Sequence, residues 1–187
     1  MPESKGSVKG SVLQSRLELV KEEKGAAGRE RILEALGPED REALSKLLSS
    51  RWYPFDLHER LDAAIASQFG EGEALFLRMG EKSALQNLGS VHRVFVAESN
   101  PHGLLKHATT IYRLYYDTGH RTYEKAGEKK AILRTFESAT YSKEDCLTVI
   151  GWHRKAIAMC GGRNVRISET KCRARGDEIC EYVCEWD

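Results

Sequence analysis

Ile167 to Trp186 reads ISETKCRARGDEICEYVCEW. Apolar and polar residues alternate on both sides of Gly176-Asp177, which predicts two strands, Val165 to Lys171 and Ile179 to Trp186, joined by a turn. The stretch holds three of the chain's five cysteines. Alternation along Val165, Ile167 and Glu169 puts a carboxylate on the face of two apolar residues, where an unpaired charge is costly. Cys172 lies just beyond, and Cys180 opens the returning strand. Upstream, Ser142 to Asp145 is a capping box of the S-x-x-D kind. It sets Cys146 in the first turn of a helix running to about Cys160, where the helix dipole is expected to favour its thiolate. Cys146, Glu169, Cys172 and Cys180 thus offer three sulfurs and one carboxylate, a set that suits a closed, tetrahedral, structural Zn²⁺. Its net charge of about −2 would be offset by Lys171, Arg173 or Arg175. The spacing is not that of paired C-x-x-C knuckles, and it suits small buried thiols equally. Cys180, Tyr182, Cys184 and Trp186 share one strand face, so Cys184 is an alternative ligand; Cys184 and Cys160 are expected in the core instead.

Before that helix lies another hairpin: a strand from Arg121 to Ala126, a turn at Gly127-Glu128, and a strand from Ala131 to Glu137. Farther upstream the spacing is mostly helical. Residues 1 to about 10 are expected to be loose. A helix through Leu13, Leu17 and Val20 is interrupted at Gly25 and Gly28, and a shorter one from Arg29 to Leu36 stops at Gly37-Pro38. Glu39 to Leu48 is predicted helical. Trp52-Tyr53-Pro54-Phe55 is an aromatic loop, either a plug between helices or a pocket wall. Asp56 and Glu59 form a capping-box variant opening a helix to Phe69, which Gly70 and Gly72 end. Ala74 to Leu88 is predicted helical, and Ser90 to Ala97 fits helix or strand. Asn100-Pro101 starts a helix, His102 to Asp117, with Leu104, Leu105, Ala108, Ile111, Tyr112 and Tyr115 on its apolar face. This order predicts α+β: a helical N-terminal half packed on a small antiparallel sheet, made of two hairpins flanking one helix.

With 29 basic and 28 acidic residues the formal net charge is +1, so no strong field favours nucleic acid or an anionic membrane. No apolar run reaches the length of a membrane span and the N-terminus lacks a signal-peptide core. A cytoplasmic location is expected, where thiols stay reduced. No G-x-G-x-x-G, P-loop, H-E-x-x-H or nucleophile–base pair appears, so enzymatic activity is not expected.

The Glu169 to Trp186 run, with its E-x-x-C and then C, resembles the C-terminal signature of the 4-vinyl reductase domain. That domain belongs with the haem-NO-binding and TRAPP-like ligand-binding folds. The likeness is strongest over residues 100–187. K-G-S-V-L-Q at Lys9 to Gln14 and the W-Y-P-F loop are similar to stand-alone bacterial, myxobacterial-type members. The resemblance implies a ligand-binding domain over 51–187 behind a helical extension, 1–50. It implies a structural zinc on an upstream cysteine, a glutamate and two cysteines, matching Cys146, Glu169, Cys172 and Cys180. It further implies a small apolar or aromatic molecule or lipid held between helices and sheet, a homodimer, and a regulatory protein partner. Trp52, Tyr53, Phe55, Tyr112, Tyr115, Phe136 and Trp152 are the expected pocket residues. Phenol-sensing members hold the hydroxyl with a His and a Trp; His92, His102, His107, His120, His153 and Trp152 are of the right type, and none is singled out. Phenol specificity is not carried over. Haem is expected to be unlikely, because the related haem domains need a proximal His with a Tyr-x-Ser-x-Arg motif that the sequence lacks. The implied function is a non-catalytic sensory module. The alternative is a TRAPP-like interaction protein whose pocket is filled by side chains.

Overall fold

The computed structural model describes residues 5–90, 92–96 and 100–187. Both expected hairpins form, and they join into one sheet. Strands β3 (His120–Gly127), β4 (Lys130–Phe136), β5 (Arg166–Lys171) and β6 (Cys180–Glu185) lie in the order β3-β4-β6-β5, every pair antiparallel. The short 3-10 turn Arg173–Arg175 and Gly176, at φ 98°, close the last hairpin. In β4 and β6 burial alternates residue by residue, so Ala131, Leu133, Cys180, Tyr182 and Cys184 face inward. Helix α7 (Lys143–Met159) covers that inner face. Its start is capped as expected: Ser142 Oγ accepts from the Asp145 amide at 3.0 Å.

The remaining helices are α1 (Gly10–Ala35), α2 (Pro38–Ser45), α3 (Phe55–Phe69), α4 (Glu73–Gly89), α5 (Pro101–Leu105) and α6 (Ala108–Tyr115). They enclose a second core built from Leu13, Leu17, Phe55, Leu61, Phe76 and Ile111, among others. Gly25 breaks α1 with φ 73° and ψ −179°, whereas Gly28 stays helical. Only glycine enters that region without strain.

Several local expectations are corrected. Residues 5–9 are not loose: β1 (Ser7–Lys9) pairs antiparallel with β2 (Trp52–Pro54), placing Val8 opposite Tyr53. The W-Y-P-F loop is therefore partly a strand. Three-residue strands carry too little alternation to be read from sequence. The Asp56–Glu59 capping box is not made, because α3 begins at Phe55 directly behind Pro54. Helix α2 ends at Ser45, three residues early. The helix expected over His102 to Asp117 is divided between α5 and α6 at Lys106-His107. Ser90 to Ala97 contains a 3-10 turn, Arg93–Val96, while Val91 and Ala97 lie outside the described residues.

Helices α4 and α7 cross at backbone contact. A Cβ on Gly80 would lie 1.9 Å from Thr148 O, and one on Gly151 would lie 2.0 Å from Leu77 O. Two glycines, one per helix, let the axes approach this closely. Among the described residues no helix is long and apolar enough to cross a membrane.

Candidate metal clasp and ligand cavity

The last hairpin and the first turn of α7 bring four ligand groups together. Sulfur or carboxylate atoms of Cys146, Glu169, Cys172 and Cys180 all lie within 4.8 Å of one another. Cys146 Sγ is 3.6 Å from Cys172 Sγ and 4.0 Å from Cys180 Sγ. Metal–sulfur bonds of about 2.3 Å at tetrahedral angles separate sulfurs by about 3.8 Å, whereas a disulfide requires about 2.05 Å. The two distances fit co-ligands of one metal and exclude a disulfide.

A β-bulge makes the set possible. Glu169 and Cys172 are three residues apart, so plain alternation would send them to opposite faces. The register shifts between Glu169 and Lys171, and the extra residue turns Cys172 inward, where it is 2% exposed. The loop is fixed by Asp177, whose Oδ2 accepts from the Cys172 amide at 2.8 Å. Glu169 Oε2 accepts from Arg175 Nη1 at 2.9 Å, while Glu169 Oε1 is buried without a hydrogen-bond partner. An orphaned carboxylate oxygen beside three thiols is where a cation would bind. Of the three expected counter-charges Arg175 makes the contact; Arg173 offers its backbone amide to Cys180 Sγ at 3.4 Å.

The three sulfurs influence one another's titration. Hydrogen bonding to Cys172 and Cys180, then burial, holds the Cys146 thiol far above its ordinary range. Hydrogen bonding to Cys146 lowers Cys172, and brings Cys180 down to about 7. Cys160 and Cys184 are core thiols, pushed up by burial to about 11 and about 12.

From the turn after Cys146 onward, α7 also lines a cavity of about 50 Å³ between the helices and the sheet. Tyr112 and Tyr115 of α6 and Trp152 of α7 line it, as expected. Trp52, Tyr53, Phe55 and Phe136 do not. Trp52 is 42% exposed under the Lys9 ammonium, and Tyr53 accepts from the Leu48 amide. Phe55 is buried edge-on against His58, and Phe136 stacks on His120. Pairing of β1 with β2 uses the aromatic loop as a brace for the helices, away from the cavity. Among the histidines His153 lines the cavity beside Trp152, ring centroids 5.3 Å apart. Burial, with Arg121 next to it, pushes His153 down to about 3. The neutral ring has Nδ1 2.8 Å from Val149 O, and Nε2 accepts from Arg121 Nη1 at 3.4 Å.

Residues that sequence reasoning missed carry the charge of this site. Arg16, 2% exposed, donates from Nε to Asp62 Oδ1 at 2.6 Å and from Nη2 to Thr148 Oγ1 at 3.2 Å, and Nη2 lies 3.6 Å from Asp145 Oδ1. Tyr116 donates to Asp145 Oδ1 at 2.9 Å, and His58 Nε2 lies 3.0 Å from Asp62 Oδ2. Burial raises the Asp62 carboxyl, but Arg16 and His58 more than offset it and the net direction is down. At Asp145 burial prevails and the direction is up. Arg16 falls in the helix through Leu13, Leu17 and Val20, and nothing local in the sequence marks it as buried.

No family model and no curated protein matches the sequence. Solved structures do match. An H-NOX protein from S. oneidensis in the Fe(II)NO ligation state is 17% identical over 96% of this chain and 99% of its own, with a TM-score of 0.76. The Fe(II) unliganded H-NOX protein from K. algicida is 13% identical over 96% of each chain, TM-score 0.74. This chain has the H-NOX fold. A third structure, from work on haem distortion in the H-NOX family, covers 96% of this chain and 95% of its own at 9% identity, TM-score 0.69. The expectation that haem is unlikely is corrected by this likeness: matched structures are described as Fe(II) or Fe(II)NO H-NOX proteins and as the subject of work on haem distortion. The missing Tyr-x-Ser-x-Arg motif was too narrow a ground. In the present arrangement the cavity does not accommodate a porphyrin. Its volume is below the ~150 Å³ that suffices for benzene in an engineered cavity, and the one histidine lining it has both ring nitrogens engaged. Helices α4, α6 and α7 would have to part for a haem to enter.

Proposed function

We propose that the chain is a non-catalytic, small-molecule-binding sensory module of the H-NOX fold, with a structural zinc on Cys146, Glu169, Cys172 and Cys180. The observation that carries this reading is the position of α7. Its first turn supplies Cys146 to the clasp, and its next two turns supply Thr148, Val149, Trp152 and His153 to the cavity wall. A filled clasp fixes one end of the helix against the sheet, and a ligand in the cavity shifts what remains free. A second copy of the chain, or a regulatory protein in the cytoplasm, would read that shift as a population change. The likeness to the 4-vinyl reductase domain rests on the hairpin sequence and supports the same zinc assignment.

Metal analysis of protein purified without added zinc tests the clasp, with about one zinc per chain expected. A thermal-shift screen of small apolar, aromatic and anionic molecules, together with haemin titration followed by visible absorption, tests the cavity. If nothing raises the melting temperature and haemin gives no bound spectrum, the sensory reading fails. The small size of the cavity favours one second reading, a TRAPP-like interaction protein with a filled pocket. A stable stoichiometric partner recovered without any ligand would select it.

A further inference from the structure

Arg121 is buried, 7% exposed, and borders both the cavity and the space around Cys146 and Cys180. Its Nε donates to Thr135 Oγ1 at 2.9 Å and Nη1 to His153 Nε2 at 3.4 Å. Its guanidinium lies over the rings of Tyr112 and Tyr182, 4.9 and 5.5 Å from their centroids. A guanidinium has five N–H donors, so two are used here. Among the described residues no carboxylate lies within ion-pair distance of it, in contrast to Arg16 on the opposite wall. A buried charge without a partner of opposite sign is costly. Two more donors line the same cavity unused: Tyr115 Oη, on a side chain 7% exposed, and Trp152 Nε1 are buried without hydrogen-bond partners. Burial raises the Tyr115 phenol and keeps its proton in place. Leu104, Leu105, Ala108 and Ile111 complete an apolar wall.

Resting on the reading of this cavity as a ligand site, we infer that its ligand is a short-chain monocarboxylate. The carboxylate pairs with Arg121 and accepts from the free donors of Tyr115 and Trp152, and the alkyl tail lies on the leucine wall. The size agrees. At about 50 Å³, against roughly 10–15 Å³ for one water on the same measure, the cavity takes a handful of heavy atoms. The charge agrees as well, since an anion answers the one buried cation that has no carboxylate partner among the described residues.

The test compares propionate with propionamide, which has the same shape without the charge, at matched ionic strength. It uses wild type, Arg121→Gln and Tyr115→Phe, read by melting temperature and Trp fluorescence titration. Propionate is expected to raise the wild-type melting temperature saturably while propionamide does not. Arg121→Gln is expected to weaken propionate by about tenfold or more, the loss of one charge-assisted pair, with zinc content unchanged. Propionamide binding as well as propionate, or propionate retained by Arg121→Gln, overturns the inference. So does Arg121→Gln losing zinc while keeping propionate, which makes Arg121 a counter-charge of the clasp. If Arg121→Gln does not fold, the propionate and propionamide pair on wild type and Tyr115→Phe decides. Binding of neutral propanol or phenol with no carboxylate binding overturns this inference and leaves the ligand cavity standing; no binding of either kind removes both.

Discussion

Replacing Gly151 with alanine probes the crossing of α4 and α7, which sets the width of the cavity. The added Cβ would stand 2.0 Å from Leu77 O, where a carbon and a carbonyl oxygen in contact sit about 3.3–3.6 Å apart. The helices must separate by roughly 1.3 Å or more. The obstacle is backbone, so no side-chain rotation relieves it. Overpacking of this kind costs about 1–3 kcal/mol, and alanine in a helix interior returns up to about 1 kcal/mol relative to glycine. A backbone clash belongs at the upper end, which gives a net loss of about 2 kcal/mol. For a chain of this size that is a fall of about 4–8 °C in melting temperature. Gly89→Ala is the control: it lies in α4 with nothing within 4 Å of the new Cβ, so its melting temperature should hold or rise. Thermal denaturation by circular dichroism reads both. If Gly151→Ala is as stable as Gly89→Ala, the two helices do not meet at backbone contact, and the account of the cavity wall is wrong with it. Because both helices line the cavity, the separated variant should also admit larger ligands in the same screen.

Cys172→Ser should lose its zinc and about 4 kcal/mol or more of stability, since a structural ligand set contributes to folding directly; Cys160→Ala should keep zinc, and equal metal content in the two variants would refute the assignment. Asp62→Asn removes the nearer of Arg16's two buried carboxylates and leaves Asp145 at 3.6 Å, so it should cost about 1.5–3 kcal/mol, read by urea denaturation; a loss under 1 kcal/mol would show the pair to be solvated. His153 is held at about 3 in the folded chain against about 6.5 unfolded. The unfolded state therefore binds the extra proton between those values. This contribution is fully present above about pH 6.5 and is lost as pH falls toward 3. His153→Phe should flatten the melting-temperature profile over that window, and an unchanged slope would contradict the burial of a neutral ring.

Local pattern was enough for much of the architecture. Alternation along Ala131 to Glu137 and Ile179 to Trp186, the Ser142 cap and the glycine stops determined both hairpins, α7 and the inward face bearing Cys180 and Cys184, because strand and helix periods and caps are properties of neighbouring residues. The four clasp residues were also nameable from the chain, since their chemistry is distinctive. Their convergence was decided by tertiary structure, through a bulge after Glu169 that period-two alternation does not contain. The cavity was settled the same way. Arg16 and Arg121 look like ordinary surface charges until α1, α3, α7 and the sheet close around them, and the W-Y-P-F loop looks like a pocket wall until β1 pairs with it. Burial and charge pairing depend on segments a hundred residues apart, and only the assembled fold brings those together.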